Sequence, residues 1–368
     1  GQLLSKVRIS GGGRCNVTHS CFDPKKLVMN YPRGTKELLG PFTKFQPKDM
    51  ITWLEEKGVE LKVEPDGRMF PTTDSSETII DCFMNEVKRH NIEICKFIDI
   101  TDIEKIDEKF IIHLSDGTKK TYDALVMATG SSRTAFQYIQ KLGHEIEPLV
   151  PSLFTFNTPK SPYLDLSGIS IPLVKVTLEN STLSQVGPLL FTHWGFSGPC
   201  VLKLSAWAAK HLYDCKYSTH FFIDFLPEAS FQEKQRLFEK FKHEHPRSSV
   251  HTENPFQLPK KLWKRMVESI CSDDIKLNML SKKTEDALLQ MVHKSKFELH
   301  GKTQYKEEFV TCGGVRRKDI DFKTMQSKIV PGLYFTGEVI DIDGVTGGFN
   351  FQNAWTTAWI CSSALSDL

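Results

Sequence analysis

Apolar positions along the chain follow two different periods, and the places where the period changes divide it. Between Gln46 and Lys57 the apolar residues Met50, Ile51, Trp53 and Leu54 fall at helical spacing, and Gly58 supplies a stop, so the pattern predicts a helix. Val59 to Val63 reads as a short strand and Pro65-Asp66-Gly67 as a turn. Asp74 with Glu77 predicts a capping box, opening a helix with Ile79, Ile80, Phe83 and Val87 on one face. Strands are expected at Ile92 to Ile98 and Phe110 to Leu114, the second followed by a Ser115-Asp116-Gly117 turn. Tyr122 to Gly130 reads as a buried parallel strand running into a glycine turn, where open α/β sheets bind ligands.

From about Pro151 to Asp224 short β-like stretches alternate with Gly, Pro and Ser turns, as in a small barrel or sandwich. From about Leu226 to Lys296 the chain is rich in Lys and Glu and helical in period. After Gly301 the α/β character returns and ends in Gly332-Leu-Tyr-Phe-Thr-Gly-Glu338 and a final helix. The expected organisation is therefore a discontinuous nucleotide domain, 1–150 plus 301–368, with a β-barrel-like insertion at 151–225 and a helical subdomain at 226–300.

Composition adds exclusions. The 368 residues are 40% hydrophobic and 25% charged, with a formal net charge of +2. That balance is too small to demand a nucleic acid or an anionic membrane as partner, so a small-molecule substrate is expected and neither a nucleic acid nor a membrane. No apolar run approaches the ~20 residues that span a bilayer. Nine scattered cysteines with no Cys-x-x-Cys pair argue against a structural zinc site and a paired redox disulfide, and no metal site is expected. Reduced thiols fit a cytoplasmic or organellar setting, plastid or mitochondrion included, rather than secretion. The basic run Lys260-Lys261-Leu-Trp-Lys264-Arg265 reads as a solvated helix face.

The strongest chemical signal is Gly332 to Trp355. A strand ends at Gly337, Glu338 follows it, and a Thr346-Gly347-Gly348 turn leads into an apolar helix from about Asn350. Glu338 or Asp343 can accept hydrogen bonds from ligand hydroxyls, and amides at a helix N-terminus suit an electron-rich carbonyl or a phosphate. Near the other end, Ser10-Gly11-Gly12-Gly13-Arg14-Cys15-Asn16 combines three glycines, which let a ligand approach the main chain, with an arginine suited to a phosphate or carbonyl. The alternative reading of Arg14, second to that one, is a surface ion-pair partner. Cys15 reads as a small packing residue rather than a redox thiol.

Ser10 to Asn16, Phe191-Thr-His-Trp-Gly-Phe-Ser-Gly-Pro199, Thr311-Cys-Gly-Gly-Val315 and the C-terminal segment occur together and in order. In this the chain resembles the NAD(P)/FAD-dependent oxidoreductases of BaiN type, also called aminoacetone-oxidase-like, and is nearest their plant-type branch. The resemblance implies an α/β, glutathione-reductase-like FAD-binding Rossmann domain. It implies non-covalent FAD, with NAD(P)H as a candidate electron donor, and hydride or electron transfer to or from a small organic substrate. Alternatives are an FAD-dependent RNA-modifying enzyme and a non-catalytic remnant of the fold. The residues it assigns to FAD are Ser10, Gly11, Gly12, Gly13, Arg14, Cys15, Asn16, Ala128, Thr129, Gly130, Gly337, Glu338, Asp343, Gly344, Thr346, Gly347, Gly348 and Asn350. His193 is a candidate proton donor to substrate, and also reads as a packed structural histidine. Two features depart from the family. Its N-terminal βαβ unit with G-x-G-x-x-G has no counterpart upstream of Ser10, so the domain is expected to be N-terminally truncated. Thr129-Gly130 continues with Ser131-Ser132-Arg133 instead of a longer glycine-rich loop, whose contacts are not carried over.

Overall fold

A computed structural model describes residues 3–271, 274–303 and 310–366. They form two compact units, Gly1–Ser152 with Tyr305–Leu368, and Leu153–Gln304. Among the described residues no helix is long and apolar enough to cross a membrane.

The first unit is α/β. The predicted helix runs Pro47–Glu56, with Gln46 and Asp49 forming a capping box and Gly58 in the left-handed region just beyond its end. The second helix runs Glu77–Arg89, but the capping box expected at Asp74 does not form. Asp74 turns left-handed and pairs with Lys62 and Arg14, leaving Ser76 at the N-cap. The two helices and the C-terminal helix Phe349–Ser366 are joined by four rings in sequence. Trp53 stacks on Phe83 (5.4 Å), Phe83 on Trp355 (5.3 Å), and Trp355 on Phe351 (5.5 Å). Buried beside them is a core that includes Val7, Val17, Met50, Leu54, Ile79 and Ile80.

Two expected strands change character. Ile92–Ile98 forms no strand and is exposed throughout, Phe97 to 90%. Alternation supplies a face but not a partner, and this segment has no ladder among the described residues. The neighbouring Ile100–Ile106 instead leads an antiparallel meander with Lys109–Leu114 and Lys119–Tyr122. Of Tyr122 to Gly130, Tyr122 ends the last strand of that meander and Leu125–Met127 forms a short strand of its own. This short strand lies at the edge of a four-stranded sheet, parallel to Leu333–Phe335 and with no partner on its other side among the described residues, and Val126 is 38% exposed instead of buried.

The second unit is a seven-stranded antiparallel sheet with helices. Thr155–Asn157, Ser170–Leu178, Ser184–Thr192, Gly195–Ser197, Ser218–Asp224, Ser295–His300 and Lys302–Thr303 take part. Its two terminal strands in space, Ser295–His300 and Lys302–Thr303, are joined by Gly301 alone, so the sheet curls until its edges meet. The interior is filled by rings. Phe196 packs against Phe191, Phe221 and Phe297 at 5.2, 5.9 and 4.7 Å. The helices Phe231–Glu244, Lys260–Glu268 and Lys282–Lys294 belong to this unit, the middle one burying Leu262, Trp263, Met266 and Val267 while Lys260, Lys261 and Lys264 face water.

A two-residue turn, His193-Trp194, joins Ser184–Thr192 to Gly195–Ser197. Gly195 has φ 148°, and a Cβ there would sit 2.2 Å from the Phe156 carbonyl oxygen. Gly195→Ala should therefore destabilise the protein by about 1–3 kcal/mol, the usual cost of a residue held in a sparsely populated conformation. Urea unfolding measures it, and an unchanged midpoint would show that the turn relaxes freely.

Candidate functional site

The N-terminal loop and the head of the C-terminal helix, more than 300 residues apart in sequence, meet in the first unit. The helix that starts at Ser5 loses its conformation at Ser10 (ψ 146°), and Gly11, Gly12 and Gly13 follow with φ of 58, 69 and 85°. A Cβ on Gly12 or Gly13 would touch nothing, so these two glycines answer to backbone conformation and leave an open, exposed stretch of main chain. Asn16, its amide oriented to satisfy both neighbours, accepts from the Gly348 N–H (2.9 Å) and donates to the Thr18 carbonyl (3.1 Å).

Gly348 itself has no room. A Cβ there would lie 2.5 Å from the Thr18 carbonyl oxygen, and one on Gly347 would lie 2.7 Å from the Phe349 ring. A side chain at 348 is therefore blocked by the protein's own backbone. The Phe349–Ser366 helix begins at once, and the first-turn amides of a helix have no partner within it. Thr18 Oγ1 donates to Gln352 (2.6 Å), the Tyr31 hydroxyl to the Phe349 carbonyl (2.7 Å) and the Trp355 indole to the Val17 carbonyl (3.0 Å).

The C-terminal ends of the parallel strands Leu125–Met127 and Leu333–Phe335 supply a second edge. Ala128 and Thr129 are exposed there, and Gly130 turns left-handed with Glu338 beside it, 3.5 Å from where its Cβ would be. Glu338 accepts from Lys6 Nζ (2.5 Å) and from the Thr311 amide (3.1 Å). The Thr311 hydroxyl is buried without a partner among the described residues. A shallow groove of about 640 Å³ involving Ile103–Asp107, Lys141–Gly143 and Ile329–Pro331 lies at the other end of these strands.

Several expected ligands to the cofactor have protein partners instead. Arg14 bonds Glu64 (2.7 Å), lies 3.5 Å from Asp74 and covers the Phe70 ring at 4.0 Å. Asp343 is fully buried, and its oxygens take Arg33 Nε (2.5 Å), Arg33 Nη2 and Ser152 Oγ (2.8 Å), so it is not available to a ligand hydroxyl. Burial pushes its carboxyl above the usual range, with Arg33 and Ser152 acting in the opposite direction. Asn350 clamps both backbone groups of Gly344, at 2.8 and 2.9 Å. The Gly337 amide is held by Thr357 Oγ1 (2.9 Å). Cys15 is buried, and desolvation pushes its thiol up to about 11, the opposite of what a reactive thiolate needs. His193 lies exposed in the second unit.

Sequence reasoning missed Arg33, Ser152, Lys6 and Thr18, and it placed Thr311 in a motif without giving it a role. Arg33 and Asp343 are 310 residues apart, and no local pattern announces such a pair. The orphan amides of the final helix do imply a polar partner, which Asn16 turns out to be. Asp102, Glu104 and His113 converge within 4.8 Å on the meander, but Lys141 pairs with both carboxylates.

The sheet pair and its glycine turns define a Rossmann-type α/β protein. The HI0933-like protein Rossmann domain model matches residues 1–364, and the chain belongs to that family. It is 30% identical over 374 residues to the ribosomal RNA dihydrouridine synthase of Escherichia coli (strain K12), covering 98% of this chain and 88% of that protein. The protein of the same name in Haemophilus influenzae (strain ATCC 51907 / DSM 11121 / KW20 / Rd) is 31% identical, covering 98% and 89%. The 3-dehydro-bile acid delta(4,6)-reductase of Clostridium scindens (strain ATCC 35704 / DSM 5676 / VPI 13733 / 19) is 24% identical, covering 98% and 90%. All three relatives are named as enzymes.

Arg33→Ala would leave Asp343 buried without its cation, a loss of about 3–5 kcal/mol for a broken buried pair. The variant's carboxyl would then be held still further above 3.8, the ordinary value. Protonation relieves the penalty, so the variant should be most stable below that pH and lose stability as pH rises through the raised value. Unfolding curves across acidic to neutral pH test this; a loss independent of pH would show that Asp343 is not the group left unpaired.

Proposed function

We propose that the protein is an FAD-dependent reductase of a carbon–carbon double bond conjugated to a carbonyl, acting on a uracil base in RNA. The observation that carries the flavin reading is the meeting of the Ser10–Asn16 loop with the Gly347-Gly348 turn, beside the strand ends that hold Gly130 and Glu338. The relatives' names carry the substrate. Dihydrouridine is uridine with two hydrogens added across its C5–C6 double bond, and a delta(4,6)-reductase likewise adds hydrogen to carbon–carbon double bonds.

The residues present fit FAD. Open left-handed glycines at 12 and 13 admit a close approach to the main chain. The buried Thr311 hydroxyl has no partner among the described residues and can bond a ligand. Glu338, steadied by Lys6 and the Thr311 amide, would accept from cofactor hydroxyls. The first-turn amides of the C-terminal helix, at the positive end of its dipole, would hold an electron-rich carbonyl edge. Bound and reduced, FAD supplies the hydride, with NAD(P)H as the proposed donor. His193 is proposed to deliver a proton from its imidazole to the substrate.

A second reading, a small conjugated ketone as substrate, is favoured by the bile-acid relative.

The test uses full-length protein supplied with FAD, NADPH and either ribosomal RNA or a conjugated ketone. We expect a yellow protein and RNA in which one uridine gains two hydrogens by mass spectrometry. A protein that stays colourless and takes up no FAD would sink the flavin reading; reduction of the ketone alone would leave flavin chemistry and remove RNA. His193→Ala should lower turnover about 10²-fold or more, as loss of a general acid does, with the flavin spectrum unchanged. Unchanged turnover would make His193 an ordinary turn residue.

A further inference from the structure

Trp194 is held rigidly and yet left in water. Its amide and that of Gly195 donate to Thr192 Oγ1 (3.4 and 3.1 Å), its carbonyl accepts from the Thr158 amide (2.9 Å), and Gly195 tolerates no side chain. The indole is nonetheless 59% exposed. A large ring on an anchored turn, more than half exposed, suits a partner with a flat face.

The same rim of the barrel continues from there. Asn157 donates to the Gly301 carbonyl (3.3 Å), and Gly301 donates to the Tyr217 carbonyl (2.9 Å). The Tyr217 ring meets Tyr213 edge-on at 6.4 Å, and Tyr213 is 49% exposed. Cations are interleaved with these rings. Lys302 lies over Tyr217 (5.0 Å) and Phe154 (6.0 Å), and burial lowers its pKa, which a neighbouring phosphate would reverse. Lys216 is exposed between the two tyrosines in sequence, and Lys160, exposed in the turn after Thr158, pairs with Glu298 at 2.9 Å. The wider unit is basic. Residues 153–304 carry 20 Lys and Arg against 15 Asp and Glu, net +5, and the rest of the chain carries 27 against 30, net −3.

We propose that this rim binds an unpaired RNA segment, with bases stacked on Trp194 and Tyr213 and phosphates running past Lys160, Lys216 and Lys302. The proposal rests on the RNA reading above and adds where the strand is held. Bases in a loop offer free faces to aromatic side chains, whereas those in a duplex are already stacked. The flanking lysines attract the backbone without reading sequence.

Anisotropy of a fluorescein-labelled oligouridylate of about a dozen nucleotides, titrated with the full-length protein, tests it. Trp194→Ala and Tyr213→Ala should each weaken binding about tenfold, within the range lost with one stacked base. Trp194→Phe should retain most of the affinity, which separates stacking from damage to the turn. Lys216→Ala and Lys302→Ala should each flatten the dependence of log K on log salt by about 0.7. The same strand annealed into a duplex should bind more weakly. Unchanged affinity in both aromatic variants, with reduction of ribosomal RNA intact, would overturn the rim and leave the RNA reading standing. A parent protein that binds no oligonucleotide and modifies no ribosomal RNA would overturn both.

Discussion

The first unit depends on how closely Gly348 lies against the backbone of Thr18. No side chain fits between them, so the C-terminal helix can dock in one position only. Asn16, Thr18, Tyr31 and the Trp355 indole then bond across that junction, and His19 stacks on Phe349 at 4.7 Å. The glycine loop at 11–13 and the start of the final helix are therefore fixed to each other by main-chain geometry and short polar contacts. The ring sequence from Trp53 to Phe351 packs on the same helix. Charge follows a similar logic. Asp343 and Arg33 are both largely removed from water, and each makes the other's burial tolerable. The loop that follows Asp343 runs through Gly344 and Thr346 into the glycine turn, so the buried pair also anchors the approach to that turn.

Much of this was legible in the sequence, and the limits follow from what sequence patterns encode. Local pattern decides the outcome where the partner is local. The Gln46 helix with its Gly58 stop, the turns at 65–67 and 115–117, and the strand–turn–helix ending of the chain all form. It failed where the outcome depends on a distant partner. The β-branched run at 92–98 has the composition of a strand but no ladder to join. Asp74, spaced for a capping box, is drawn away by Lys62 and Arg14. Of the residues expected around a cofactor, the structure gathers Gly11, Gly12, Gly13, Asn16, Gly347 and Gly348, and at a second edge Gly130 and Glu338. It shows Arg14, Asp343 and Asn350 engaged with other parts of the protein. A motif identifies residues that sit together; it does not say which of them face the ligand and which hold the others in place.

Net charge hides a division of a related kind. The total of +2 is the sum of +5 and −3 over two units of opposite sign. The electrostatic argument against a nucleic acid applies to a uniformly charged body, and a phosphate backbone responds to the local surface within about 8–10 Å. The composition of 153–304 alone gives a different expectation from that of the whole chain.

The barrel's closure through Gly301 bears on how the protein comes to be folded at all. The Thr303 hydroxyl reaches Asn157, 146 residues earlier, because the last strand of the sheet pairs with the first. Such pairing must wait until everything between has been synthesised, the helices at 231–294 included, and the loop-closure entropy is met late. During that interval the edges of Thr155–Asn157 and Ser218–Asp224 have no neighbours. On the ribosome the second unit is therefore open-edged for most of its synthesis, and the first unit, whose helix Phe349–Ser366 follows it in sequence, can be completed only after it.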